Sequence, residues 1–296
     1  MSYTEPLDLV KLRPLMEITS GKTKIVVGLI DGPVATDHPD FAEVEIREIP
    51  GRISGSCAQT SGNACTHGTF VAGILCAKRG SVAPAICPNC TLLVRAIFDE
   101  SVSENVDIPS TTPEELARAI IETTDAGASV INLSAALIIS SPKGMHELKD
   151  ALDYAARSSV IIVAATGNQG TIGSTIITRH MGVIPVAACD PMGRPIAQSN
   201  FGSSIGRRGL SAPGYNITSL GADGNMLTLG GTSAAAPFVT GAIALLLSAF
   251  PNATIADVRL ALMQANTSGR NTVVPPLLDA WAAYHIMQKF YSLKRG

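Results

Sequence analysis

The chain has 296 residues and a mass of 30.7 kDa, with 46% apolar and only 16% charged residues. That balance excludes an intrinsically disordered chain and allows one large domain or two ordinary ones. Twenty-two basic side chains against 24 acidic ones leave a net charge of −2, so no electrostatic grip on nucleic acid is expected.

The first residues, MSYTEPLDLVKLRPLMEITSG, lack a basic-then-apolar signal layout and carry acids throughout, which predicts a cytoplasmic chain. Leu9, Leu12, Leu15 and Met16 make this leader amphipathic, so it should pack on the body, helical at least up to Pro14. Short β-branched runs then alternate with helical patterns. Residues 24–30 (KIVVGLI), 44–49, 91–98 (TLLVRAIF), 129–133 (SVINL), 160–165 (VIIVAA) and 182–188 (GVIPVAA) read as strands. Helical spacing covers 70–77, 113–126 and 143–158, with Leu116, Ala117 and Ile120 on one side of the second. Such alternation predicts an α/β fold: three layers, with a parallel central sheet and helices on both faces. The most apolar run, 238–250, is broken by Thr240, Gly241 and Ser248; it reads as a buried helix, and no membrane span is expected. With no repeat or linker in view, one domain is expected over 1–296, comprising a leader (1–23), a core (24–265) and an extension ending in a helix (266–296).

Chemistry gathers at the carboxyl ends of strands in such sheets. The first strand runs into Asp31-Gly32-Pro33, where an acid is costly to ionise unless something needs it, although a turn acid bonded to loop amides explains it too. His67, in Thr66-His67-Gly68-Thr69, reads either as a solvated helix-start residue or as an imidazole that glycine lets another backbone approach. Asn168 ends the 160–165 strand between Gly167 and Gly170, as in an ordinary turn. Ser233 opens the apolar helix as a cap or as a nucleophile, left uncrowded by Gly230, Gly231 and three alanines. Taken together, the order Asp, His, Asn, Ser is that of the subtilisin-type triad.

At this point the chain resembles the subtilisin-like serine proteases, through LIDGPVATDHPDF, THGTFVAGILCA, VINLSAAL, IIVAATGNQG, LSAPG and GTSAAAPFVTGAIALLL. Within that family it is similar to the cyanobactin maturation proteases, which process patellamide-like precursor peptides, through its leader, DGPV and VAPAICPNCTLLVRAIF. The resemblance implies Ser233 as nucleophile, His67 as general base, Asp31 as its orienting acid, and Asn168 with the Ser233 N–H as oxyanion hole. It places substrate beside Ser134, Ala135 and Ala136, with Ala165, Thr166 and Gly167 walling the pocket. The family has glycine where Ala136 stands, and a Met or aromatic at one of Ala234–Ala236, so pocket preference departs from its pattern.

Of six cysteines, Cys57 with Cys65 and Cys87 with Cys90 are expected as two local disulfides; a zinc site from all four, or free thiols, are the alternatives. Cys76 and Cys189 read as small buried hydrophobes. No DxDxDG pattern occurs, and neither metal nor cofactor is expected. The expected function is a monomeric serine endopeptidase acting on a peptide or precursor peptide. A peptide transpeptidase and a catalytically silent peptide-binding module are the alternatives. Hydrolysis is favoured because the 35 residues 32–66 hold no helical insert that could cover an acyl-enzyme.

Overall fold

The computed structural model describes residues 4–98, 111–134, 143–266 and 272–293. Two short helices, α1 (Pro6–Leu9) and α2 (Arg13–Ile18), precede β1 (Val26–Asp31), β2 (Ile46–Glu48) and α3 (Asn63–Cys76). Next come β3 (Thr91–Ala96), α4 (Pro113–Asp125), β4 (Val130–Leu133), α5 (Met145–Arg157) and β5 (Ile161–Ala165). The chain continues through α6 (Ile176–Arg179), β6 (Val183–Cys189), α7 (Ser203–Arg208), β7 (Leu210–Pro213), and a hairpin of β8 (Ile217–Leu220) and β9 (Met226–Leu229). Three helices complete it: α8 (Thr232–Ala249), α9 (Ile255–Gln264) and α10 (Ala280–Leu293).

Seven strands form one parallel sheet in the order β2-β3-β1-β4-β5-β6-β7, as the alternating pattern predicts. Successive residues of each strand serve opposite cores. Val27, Leu29, Val130 and Val163 face α3 and α8, whereas Ile30, Ile131, Leu133 and Ile162 face α4 and α5. Helix α4 starts where Thr112 accepts from the Glu115 amide at 3.2 Å and Pro113 occupies the first turn, with Glu114 and Glu115 at its positive end. Arg95, fully buried on β3, is held by Glu115 (2.7 Å) and Glu122 (2.6 Å), which ties α4 to the sheet. The order reverses at β1, flanked by β3 and β4, so the crevice for chemistry opens at the carboxyl ends of β1 and β4.

Two expectations change. The leader is two helices rather than one: Lys11 is left-handed (φ 53°), and Pro14 sits in the first turn of α2, where its missing N–H is harmless. Leu7, Val10, Leu12, Leu15 and Met16 nonetheless join the main core. Helix α3 begins at Asn63, so His67 lies in its second turn rather than at its start; buried nearly all round, α3 carries little amphipathic signal. The expected buried helix is observed: α8 is long and apolar enough by composition to cross a membrane, yet 89% of it is buried inside the molecule, as befits a central core helix.

Candidate active site

Asp31, the last residue of β1, is fully buried. Its Oδ1 lies 2.6 Å from His67 Nδ1 and 2.7 Å from the Gly32 amide. An ionised carboxylate only accepts, so Nδ1 carries the proton and Nε2 is left with the basic lone pair. Two glycines permit this contact. A β-carbon on Gly32 would lie 2.0 Å from the Ala64 carbonyl oxygen, and one on Gly68 would lie 2.3 Å from that of Pro33. Helix α3 therefore rests directly on the Asp31–Pro33 turn.

Burial alone would lower the His67 pKa, but the charge of Asp31 and its hydrogen bond outweigh it, and the net shift is upward from 6.5. A base must be neutral to act, so activity should be lost as pH falls through this raised value. The acid limb of the kcat/KM–pH profile is expected above 6.5, and a midpoint below 6.5 would show that burial dominates.

Ser233 is the second residue of α8, half-buried, and it is not the cap: that position belongs to Gly231, which makes no side-chain bond. No hydrogen bond joins its hydroxyl to His67 among the described residues, an arrangement common before substrate binds. Asn168 lies beside the same helix start. Its Oδ1 accepts from the Thr232 amide (2.9 Å) and hydroxyl (3.1 Å), and its side chain lies against Gly231, where a β-carbon would come within 2.9 Å of Nδ2. The structure thus brings Asn168 to the first turn of α8, and it adds Thr232 as the residue that orients the amide.

A second unforeseen residue is Asn200. Its Oδ1 accepts from Gln169 and Thr171 amides (3.1 Å each), and its Nδ2 donates to the Thr166 carbonyl (3.0 Å). This one side chain clamps the loop that carries Asn168. Thr166 is buried and Ala165 half-buried at the end of β5, and Gly167 is left-handed (φ 100°). Ser134 follows β4, and its hydroxyl turns inward to the Ser233 carbonyl at 3.0 Å. Ala135 and Ala136 lie outside the described residues.

Cys57 and Cys65 form a disulfide, with a Cα–Cα distance of 5.6 Å. Its loop runs along the segment after Asp31, through Val34 N to Gly55 O (2.8 Å) and Cys57 N to Val34 O (3.2 Å). Closing so short a loop contributes about 2–3 kcal/mol by the chain-entropy model. Cys65 lies one position before Thr66-His67 on α3, so reduction should lower both Tm and activity. Alkylation finding six free thiols in fully active protein would refute this.

The expected Cys87–Cys90 bond is not formed: both thiols are free and buried, as are Cys76 and Cys189. The four residues fold as a turn, Cys90 N–H donating to the Cys87 carbonyl (3.0 Å). Hydrogen bonding with Cys76 chiefly, and burial, raise the Cys87 pKa; hydrogen bonding with Cys87 and burial raise that of Cys90. The thiolate that disulfide exchange needs is thereby disfavoured. The four-cysteine zinc site is likewise ruled out, since Cys57 and Cys65 are bonded to each other. Burial pushes the Cys189 thiol up to about 12.

The family model for the subtilases matches residues 22–277. The chain belongs to the subtilase family. As a subtilase it is a serine endopeptidase, and its sequence is 31% identical to subtilisin DY of Bacillus licheniformis over 249 residues, 82% of this chain and 84% of that protein. The subtilase fold is also that of a mutant of the protease domain of PatA, with a TM-score of 0.82 and 29% identity over 91% of this chain and 97% of that one. The prenylagaramide maturation protease PagA matches at a TM-score of 0.80, with 29% identity over 93% and 98%.

Proposed function

We propose that Ser233 attacks the scissile carbonyl, that His67 Nε2 takes its proton and returns it to the leaving amine, and that Asp31 holds the imidazole and steadies its cation. The observation that carries this reading is the 2.6 Å contact of a fully buried carboxylate with His67 Nδ1. Asn168 Nδ2 and the Ser233 amide receive the developing oxyanion. Substrate lies extended along the residues after β4, with Ala165, Thr166 and Gly167 forming one wall. The likeness to PatA and PagA supports a precursor peptide as the natural substrate.

The products are linear. Favouring an amine over water requires a cover on the acyl-enzyme, and a cover between Asp31 and His67 would need a helical insert there. Residues 32–62 hold only a single 3₁₀ turn at Pro39–Phe41, the short strand β2 and the disulfide loop. Incubation with a peptide bearing a free N-terminus and a cleavable tail should release the linear acid. A dominant product lighter by one water would overturn the open-site argument.

A further inference from the structure

Helix α8 contains Pro237 as its sixth residue. In an α-helix the carbonyl of residue i accepts from the amide of residue i+4, so Ser233 O would be served by residue 237. Proline has no N–H to give. The carbonyl of the nucleophile itself is therefore orphaned by the sequence of its own helix.

The missing donor comes from outside the helix. Ser134 Oγ lies 3.0 Å from Ser233 O, and it receives a hydrogen bond from Asn132 Nδ2 at 2.7 Å. Asn132 Oδ1 in turn accepts from the Thr240 hydroxyl at 2.8 Å. Asn132 and Thr240 are fully buried and Ser134 is 3% exposed. The direction of every proton follows. The Thr240 proton goes to Asn132 Oδ1 rather than to the more distant Ala236 carbonyl (3.3 Å), which sets the amide with Nδ2 toward Ser134. A carbonyl oxygen can only accept, so the Ser134 hydroxyl, itself receiving that amide, turns its single proton onto Ser233 O.

We infer that Thr240 is a positioning residue for the nucleophile, acting through Asn132 and Ser134 on the Ser233 backbone. The relay begins two helical turns along α8 from Ser233, crosses to β4, and returns to the first turn of α8. It pins the peptide plane on one side of the Ser233 α-carbon, from which both the attacking hydroxyl and the oxyanion amide project. Its loss frees that turn to rock, which misplaces attack without removing any group that binds substrate.

This inference rests on the triad reading, and the experiment separates the two. Acylation of Ser233 by a fluorophosphonate and steady-state peptide cleavage are measured for the wild type, Thr240→Val, Thr240→Ser and Ser134→Ala. Ser248→Ala serves as control, because it deletes another buried α8 hydroxyl bonded to its own helix, at Ala244 O (2.7 Å). Thr240→Val should slow acylation and lower kcat roughly three- to tenfold, the worth of one neutral hydrogen bond, with KM unmoved. Thr240→Ser should restore the wild-type rate, and Ser248→Ala should leave it unchanged. Thr240→Val combined with Ser134→Ala should be no slower than Ser134→Ala alone, since one chain cannot be broken twice. A wild-type acylation rate in Thr240→Val, or an equal loss in Ser248→Ala, overturns the relay alone. Should Thr240→Val not fold, a wild-type rate in Ser134→Ala overturns it. A wild-type protein that takes no label at Ser233 overturns the triad reading together with the relay.

Discussion

Ser233→Ala should abolish peptide cleavage, with a loss on the order of 10⁶ in kcat, while the circular dichroism spectrum stays intact. The change removes one oxygen from a half-buried position at the start of α8, and the bonds that hold this turn run through the Ser233 carbonyl rather than its hydroxyl. Stability is thus expected to be preserved. His67→Ala should be about as damaging, and the double variant no worse than either, because base and nucleophile act as a unit. The comparison discriminates well. Two independent contributors to binding would multiply their losses, whereas members of one proton-transfer unit do not. Turnover retained by folded Ser233→Ala would remove the protease mechanism proposed for these residues.

Asn168→Ala should lower kcat by roughly 10²–10³ and leave KM nearly unchanged, the range associated with one oxyanion-hole donor. The reason lies in how the amide is held. Both Thr232 bonds go to Oδ1, which leaves the NH₂ free of them for the oxyanion role proposed above. A change confined to KM would reassign Asn168 to substrate binding. Thr232→Val, which keeps the amide but loses a bond to it, should show a smaller loss of the same kind, read in the same kcat and KM measurements.

Much of this site is legible in the sequence, because its members sit where strands end and helices begin. Asp31 after KIVVGLI, Asn168 after VIIVAA and Ser233 ahead of the alanines are each marked by glycine on one side and an apolar run on the other. The Cys57–Cys65 pair is legible too, since a Ser/Gly/Asn-rich loop of that length closes easily. The helper residues are not. Thr232, Asn200, Asn132 and Thr240 look like ordinary polar positions, and their roles depend on partners distant in sequence, 108 residues away for Thr240. Cys87 and Cys90 show the converse difficulty. Their spacing suits a disulfide, a zinc site or a tight turn, and only the proximity of Cys76 and the depth of burial select the last. The start of α3 at Asn63 escaped for a different reason: Gly62 supplies no capping side chain, so no start signal precedes the helix.

The parallel sheet also imposes an order in time. Asp31 and His67 are made early and can meet once α3 settles on the first strand. Ser233 is carried by a helix near the far end of the core, which packs against β4, β5, β6, β7 and α3 together. A ribosome must therefore deliver seven strands after the histidine, five of the parallel sheet and the β8–β9 hairpin, before this helix can pack against the sheet. Until then the Asp31–His67 pair stands without α8. With the triad proposed above, a protease built this way is born inert and becomes active only once its own interior has closed.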